Sequence, residues 1–266
     1  METKKKPKLW QWALLILAGL AILCLLLWKP IWYAWCDVSF YWTDRTETEL
    51  FVKAYAEAHD LSIAQYPQSL IELLERNPET ETFVLEYPLR EETQVDLSAY
   101  DACSTVPLFL QWDPMWGYET YGSDVIGITG CGPTCLAMAG YHLTGDPDMT
   151  PDKIAAFAQK EGYYAAGYGS SWTLISEGAG QLGLTATELP LVKKKMVDAL
   201  EAGNPIILAM GKGDFTENGH YIVLTAMEDG AFRVNDPNSK SNSQKLWTYE
   251  ELEHQIRNIW EIRAEQ

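Results

Sequence analysis

The chain has 266 residues and a formal net charge of −17 at pH 7, and this length is enough for a membrane anchor and either one sizeable domain or two small ones. After residue 28 it carries 36 acidic and 16 basic side chains. A body this acidic excludes the basic footprint that nucleic-acid binding needs, and it disfavours docking on an anionic lipid surface.

The N-terminal segment is a predicted membrane anchor. Residues 9–28 contain no charged side chain, and this length is enough to span a bilayer core as a helix. Four lysines lie in residues 1–8, so the positive-inside rule predicts a cytoplasmic tail there and an extracellular body. A cleaved signal peptide is the competing interpretation, but Lys29-Pro30-Ile31-Trp32 offers no small-residue cleavage site. We therefore expect a single-pass protein of the cell membrane.

Residues 37–100 are predicted to form a helical, membrane-proximal region. The stretch 46–58 has apolar residues at helical spacing and acidic residues in its first turn. Residues 68–76 suit a second short helix, which Asn77-Pro78 is expected to end. Residues 82–87 suit a strand or an extended segment, and the polar stretch 91–98 suits a linker. No pattern of catalytic residues occurs here, so we expect a collar on the following domain, and whether it also acts as a lid stays open.

Residues 101–266 are predicted to form the functional domain, and Cys131 is its first candidate site residue. Cys131 lies between two glycines, and Pro133 with the apolar residues after it predicts a helix over residues 132–143 that ends at Gly145. Backbone N–H groups at a helix N-terminus favour a negative charge, so a thiol there becomes a thiolate more readily. A thiolate is a nucleophile suited to covalent catalysis. The alternative is a structural cysteine in a glycine-rich turn.

The other patterns of this domain predict an α+β fold with an antiparallel sheet. Helices concentrate in its first half, with predicted helices over residues 150–160, after Ser171 and over residues 191–202. Strands concentrate in its second half, and the predicted strands are residues 184–189, 205–210, 220–227, 231–235 and 258–262. A last short helix is expected to start at Thr248.

His220 and Asp236 are the candidate partners of Cys131. His220 follows a glycine at the start of the strongest predicted strand, and histidine is the side chain whose ordinary pKa lies nearest neutral pH. If residues 228–230 form a hairpin turn, pairing the apolar faces of the two strands puts Asp236 on the same face as His220. A tight two-residue turn would instead favour Asn235. We expect Asp236, because burial of the apolar face is the stronger constraint, and an ordinary structural histidine is the alternative for His220.

Four short motifs carry a resemblance to a known family. They are Gln111-Trp112-Asp113, Gly130-Cys131-Gly132-Pro133-Thr134, Gly219-His220-Tyr221-Ile222-Val223 and Asp236-Pro237. In this order they resemble the papain-like cysteine peptidases, specifically the bacteriocin-processing peptidases that remove double-glycine leaders. The resemblance covers roughly residues 105–262.

The resemblance implies a fold and a set of roles. The fold would be papain-like, with a helical part that bears the cysteine packed on an antiparallel sheet that bears the histidine. Cys131 would be the nucleophile, His220 the general base and acid, and Asp236 the orienting residue. Gln111 would donate from its side chain to the oxyanion, with the Cys131 backbone N–H as the second donor.

These roles predict a membrane-anchored extracellular cysteine peptidase that acts on a peptide or protein substrate through an acyl-enzyme. Two alternatives stay open. One keeps the fold and acts on peptidoglycan as an amidase or a transpeptidase. The other is a membrane-tethered binding module without activity.

No cofactor or metal is expected. Cys131 and Cys135 with His220 lack a fourth ligand at any familiar spacing. No Gly-x-x-x-x-Gly-Lys-Ser/Thr loop occurs, so we expect no bound nucleotide. Outside the cell, Cys36 and Cys103 could form a disulfide, and we state this pairing as a prediction.

Overall fold

The structure is a computed structural model that describes residues 9–100 and 105–265. The chain divides into two compact units, Met1–Ile71 and Glu72–Gln266. Cys103 lies outside the described residues, so its pairing with Cys36 stays a prediction.

Helices dominate the first half of the chain and strands the second half. The α-helices are α1 (Leu9–Ser39), α2 (Glu47–Ala58), α3 (Gln68–Arg76), α4 (Glu81–Leu85), α5 (Ile126–Thr129), α6 (Cys131–Thr144), α7 (Pro151–Lys160), α8 (Ala179–Gln181), α9 (Lys193–Glu201), α10 (Lys240–Gln244) and α11 (Tyr249–Leu252). Short 3₁₀ turns lie at Phe40–Trp42, Ile63–Gln65, Pro78–Thr80, Tyr87–Leu89 and Ser98–Tyr100, and a π-helical turn lies at Leu174–Gly178. The strands are β1 (Thr120–Tyr121), β2 (Asp124–Val125), β3 (Tyr164–Ala165), β4 (Gly169–Ser170), β5 (Leu184–Glu188), β6 (Ile206–Met210), β7 (His220–Glu228), β8 (Ala231–Asn235), β9 (Leu246–Trp247) and β10 (Ile256–Ala264).

Helix α1 is the candidate membrane span of the first unit. It continues past the predicted end at Trp28, through Pro30 to Ser39. Within it and the turn that follows, Ile16–Trp42 contains an 18-residue window with a mean hydropathy of 1.9 and no residue buried by protein. By length and composition this segment can cross a membrane, and an N-terminal signal sequence meets the same criteria.

Helix α2 begins at a capping box. The Thr46 hydroxyl accepts from the Glu49 N–H at 3.1 Å, and the Glu49 carboxylate accepts from the Thr46 N–H at 3.0 Å. These two bonds give acceptors to backbone N–H groups at the helix start that have none within the helix. One turn later, the buried Lys53 Nζ lies 2.8 Å from an Asp37 carboxylate oxygen on α1. This ion pair ties α2 to the end of α1.

A six-stranded antiparallel sheet in the order β5-β10-β6-β7-β8-β9 forms the centre of the second unit. Helix α6 packs on one face of this sheet, where Leu136 belongs to the same core as Val223. On the other face, Met196 of α9 packs in a second core with Ile222. Burial of each aliphatic side chain in these cores contributes about 1.5–3 kcal/mol to the free energy of unfolding. The predicted α+β class with an antiparallel sheet is therefore confirmed.

The prediction of an extended segment at residues 82–87 is wrong. This stretch contains helix α4, and its side chains Phe83, Val84 and Leu85 are all buried. Three consecutive buried apolar residues resemble a strand pattern, but the Asn77 side chain accepts from the Glu79 N–H at 3.1 Å and starts a helical turn just before them.

Candidate active site

Cys131 is the first residue of α6, which runs for 14 residues and ends at Gly145 with a φ of 65°. Its side chain is half-buried. The following residue must be small, because a Cβ on Gly132 would lie 2.6 Å from the Ser170 Oγ. Close packing of this glycine against β4 thus sets the start of α6 and with it the position of Cys131.

His220 is the first residue of β7, and its side chain is 8% exposed. The Nε2 atom lies 2.7 Å from Asp236 Oδ1, and His220 lines the same two clefts as Cys131. Burial lowers the pKa of His220, but the Asp236 charge, its hydrogen bond and the Cys131 interaction outweigh burial and raise the pKa to about 10. The surroundings of this imidazole therefore favour its cation.

Asp236 follows β8 and is 1% exposed. Besides His220, the Asn238 N–H donates to Oδ1 at 2.8 Å, and the Asn242 Nδ2 donates to Oδ2 at 2.8 Å. The Asp236 N–H donates to the Ser243 Oγ at 2.9 Å. Three donors converge on the two carboxylate oxygens, so this position needs a pure acceptor.

The β7–β8 hairpin explains why Asp236 and not Asn235 meets His220. The turn is tight, with Glu228 paired to Ala231. An irregularity between Leu224 and Ala226 then leaves one extra residue on β7, and Leu224 pairs with Val234 beyond it. By alternation, this register puts His220 and Asp236 on one side of their strands. The tight turn and the apolar pairing, which conflict in a regular hairpin, are thus both satisfied.

Asn235 lies on the opposite side and has a different set of partners. It is 7% exposed, and its Nδ2 donates to the Val106 carbonyl at 3.1 Å and to the Pro107 carbonyl at 2.9 Å. These bonds fix the segment that leads to Gln111 against the sheet.

Gln111 is 3% exposed and lines the same cleft as Cys131 and His220. Its backbone N–H donates to the Pro237 carbonyl at 2.7 Å, which connects it to the residue after Asp236. Its Nε2 donates to the Gly127 carbonyl at 2.9 Å, and its Oε1 is buried without a hydrogen-bond partner among the described residues. The four predicted site residues therefore lie together, although the amide of Gln111 is bonded to backbone.

Two clefts meet at Cys131 and His220. The larger cleft has a volume of about 690 Å³ and extends from Gln111 and Thr129 past Asp214 to Asn238. The smaller cleft has a volume of about 350 Å³ and is lined by Trp172, Met210, Gly211, Lys212 and Arg257. Tyr168, which is 87% exposed, lines both clefts.

Residues that no sequence motif marks hold the Asp236 end of the site. The Asn77 Nδ2 and the Trp112 Nε1 both bond to the Asn238 carbonyl, at 2.5 and 3.0 Å. The Glu79 carboxylate accepts from the N–H of Lys240 at 2.7 Å and from the N–H and hydroxyl of Ser241 at 3.1 and 2.7 Å. Burial raises the pKa of Glu79, but these hydrogen bonds outweigh it and lower the pKa.

No sequence signal marks these contacts, since Asn77 and Glu79 are separated from their partners by about 160 residues. Residues 77 and 79 therefore brace the loop and helix that surround Asp236. The region that the sequence analysis treated as a collar without chemistry supports the site through these bonds.

Cys135, one turn beyond Cys131, is fully buried. Burial raises the pKa of its thiol well above the ordinary value, as do the nearby Cys131 and Asp236. Cys135 is thus a packing residue of α6. Among the described residues, no group of His, Cys, Asp and Glu side chains is arranged to hold a metal ion.

The fold and this site define a cysteine peptidase-like domain. The sequence profile of the Peptidase_C39-like family matches residues 103–266, and the chain belongs to this family. Membership implies a peptide or protein substrate. The predicted resemblance to bacteriocin-processing peptidases is thereby confirmed at the level of the family.

Two solved structures are distantly similar to the chain. One is the peptidase domain of Streptococcus ComA, a bifunctional ABC transporter involved in a quorum-sensing pathway, at 20% identity and a TM-score of 0.40, covering 52% of this chain and 93% of that chain. The other is a protein from Bacillus anthracis described as a C39-like peptidase, at 16% identity and a TM-score of 0.42, covering 61% of this chain and 97% of that chain. No curated protein sequence matches the chain.

Proposed function

We propose that this protein is a cysteine peptidase that hydrolyses peptide bonds through Cys131, His220 and Asp236. The observation that carries the proposal is the position of the His220 ring, which lies 2.7 Å from a buried carboxylate and lines both clefts together with Cys131. An imidazole held between a thiol and a carboxylate is the arrangement that activates a cysteine nucleophile.

In the proposed reaction, the Cys131 thiolate attacks the carbonyl carbon of the substrate while His220 holds the proton as an imidazolium. The new S–C bond turns the carbonyl oxygen into an oxyanion. His220 then protonates the leaving amine, and the C–N bond breaks to give a thioester. Water attacks the thioester and gives its proton to His220, and the thiolate leaves with the acid as product.

The oxyanion needs donors, and we assign two. The Cys131 N–H belongs to the first residue of α6, and such N–H groups have no acceptor within the helix. Gln111 would supply the second donor from Nε2, by giving up its longer bond to the Ile128 carbonyl, at 3.4 Å, and keeping the bond to the Gly127 carbonyl. One such donor is worth about 3 kcal/mol of transition-state stabilisation in well-studied enzymes.

The proposal extends to the membrane. Helix α1 would anchor the protein in the cell membrane as a single span, with the lysines of residues 1–8 in the cytoplasm and the peptidase domain outside. The exposed apolar side chains of α1, such as Leu20, Leu25 and Trp28, support this part, because an exposed apolar surface of this length requires a lipid or protein cover.

Active-site titration tests the chemistry. The full-length protein in detergent is alkylated with iodoacetamide between pH 5 and 9, and modification of each cysteine is followed by mass spectrometry. We expect Cys131 to react rapidly below pH 7, and His220→Ala to abolish this rapid reaction while the buried Cys135 stays unmodified in both. If Cys131 reacts no faster than an ordinary thiol and ignores His220, the peptidase proposal fails and a binding module becomes the better interpretation.

A second assay tests the substrate. A mixed peptide library and purified cell wall are each incubated with the wild type and with Cys131→Ser. Peptide cleavage by the wild type alone supports the proposal. Release of soluble muropeptides without any peptide cleavage contradicts it and indicates a peptidoglycan amidase.

A further inference from the structure

Arg257 lies in the smaller cleft, where a bulge in β10 directs it. In the pairing of β10 with β6, Ile256 is opposite Met210 and Asn258 is opposite Ala209, which leaves Arg257 as the extra residue of a β-bulge. Bulges re-aim side chains and are common beside active sites. Met210 is in turn paired with His220 on the next strand, so Arg257 lies two strands from His220, or about 10 Å at the usual strand spacing.

Gly211 provides the space that the guanidinium of Arg257 occupies. A Cβ built on Gly211 would lie 2.2 Å from the Arg257 Nε and 2.8 Å from its Cζ. The guanidinium therefore lies against the backbone of residue 211. Any side chain at residue 211 would occupy the same space and displace the guanidinium. This contact holds the group at the wall of the cleft that contains Cys131.

Arg257 differs from the other basic side chains of the smaller cleft because they have carboxylate partners. Lys212 forms an ion pair with Glu217 at 2.6 Å, and His220 lies 2.7 Å from Asp236. Among the described residues, no carboxylate lies within ion-pair distance of Arg257. Trp172, which is 49% exposed, forms an apolar wall of the same cleft.

We infer that Arg257 binds a carboxylate of the substrate next to the scissile bond. This inference rests on the proposed function and names the chemistry of one substrate subsite. The guanidinium fork matches a carboxylate in a bidentate geometry. The carboxylate belongs either to an acidic side chain or to a free chain terminus, and the experiment distinguishes these two sources.

Three small electrophiles that differ only in one group are the probes. They are N-chloroacetyl-glutaminamide, which is neutral, N-chloroacetyl-glutamine, which has a terminal carboxylate, and N-chloroacetyl-isoglutamine, which has a side-chain carboxylate. In each, the Cys131 thiolate forms an S–C bond to the CH₂ carbon and displaces chloride. The ratio of the rate for a carboxylate probe to the rate for the neutral probe reports the subsite without requiring proteolysis.

With the full-length wild type, we expect at least one carboxylate probe to react about tenfold faster than the neutral probe, the effect of one charge-assisted hydrogen bond. Arg257→Ala removes this advantage, and Arg257→Glu turns it into a disadvantage. Gly211→Ala, which displaces the guanidinium without deleting it, lowers the ratio and serves where Arg257→Ala does not fold. Arg263→Ala is the matched control, because it removes the same charge from an exposed position of the same strand.

The carboxylate probe that is favoured identifies the source. A ratio near one in the wild type, or a ratio that Arg257→Ala leaves unchanged, overturns the inference. The proposed function is judged separately by the neutral probe, since its reaction with Cys131 must depend on His220 whatever Arg257 does.

Discussion

Replacing Asp236 with asparagine changes both the charge and the number of acceptors around His220. The carboxylate accepts from His220, from the Asn238 N–H and from Asn242. An amide has one acceptor oxygen, so its NH₂ group would face one of these donors. We expect Asp236→Asn to lose about 1–3 kcal/mol of folding stability, the usual cost of an unsatisfied buried polar group.

The charge change acts on the pKa of His220. This pKa is raised from 6.5 to about 10, and the Asp236 charge and hydrogen bond are the main contributions that oppose burial. Removing an opposite charge at this distance shifts a pKa by about 1–3 units. We therefore expect the pKa of His220, measured by NMR titration of its ring protons in a Cys131→Ala background, to be about 1–3 units lower with Asp236→Asn than without it.

A rescue variant separates the two effects. In Asp236→Asn/Asn242→Asp, the new amide donates to the carboxylate at 242, and its oxygen accepts from His220. Urea denaturation should show recovered stability, while the pKa of His220 recovers only in part because the carboxylate at position 242 reaches the imidazole only through the amide at position 236. A His220 pKa that Asp236→Asn leaves unchanged would refute the reasoning.

The sign of the pH dependence follows from the direction of the shift. Because folding raises the pKa of His220, its contribution to stability is complete below pH 6.5 and is lost as the pH rises through about 10. Urea denaturation at pH 6 and pH 10, in a Cys131→Ala background that removes the thiol titration, should show this loss. Asp236→Asn in the same background should flatten it.

Variants at two further positions, Glu79 and Gly132, test the support of the site. Glu79→Ala should lower stability by about 1–2 kcal/mol and slow Cys131 alkylation, while Glu79→Gln, which keeps an acceptor for Ser241, should lose less. Because folding lowers the pKa of Glu79, the stabilisation by its carboxylate is present above pH 4.5 and is lost as the pH falls. In urea denaturation at acid pH, the free energies of unfolding of the two Glu79 variants should therefore approach that of the wild type. Gly132→Ala should have a larger effect on the rate of Cys131 alkylation than on the free energy of unfolding, because its Cβ would press on Ser170 and tilt the start of α6. Equal alkylation rates of wild type and Gly132→Ala would show that this packing does not set the position of Cys131.

The local patterns of the sequence predicted most of the fold, because long elements with a clear apolar period are the ones that local pattern determines. The helix at Cys131 ends at Gly145 as expected, and β7 begins at His220 as expected. Asp236 was predicted from the pairing of apolar faces, and the register of the hairpin agrees with it. Its role in catalysis stays a prediction.

The parts that the sequence did not predict depend on long-range contacts. The bulge at Thr225 cannot be inferred from strand alternation, although a polar residue inside an apolar strand is a weak sign of it. The short segment 81–85 looks extended from its own residues and becomes helical through a preceding cap. The bonds from Asn77 and Glu79 to residues 238–241 join half-buried and exposed polar groups whose pairing no local pattern encodes.

The packing of α4 has a practical consequence for where a shortened chain that contains the peptidase domain can begin. The Phe83 ring stacks on Tyr118 at 4.4 Å between centroids, and it occupies the space that a side chain on Gly127 would need. The family profile begins only at residue 103. A shortened chain that started there would expose the site of Phe83 and leave the loop after Asp236 without its brace. Poor solubility or inactivity of such a chain would then result from the missing segment and not from the chemistry of Cys131. A chain starting near residue 72 would keep both Phe83 and the brace of the loop after Asp236.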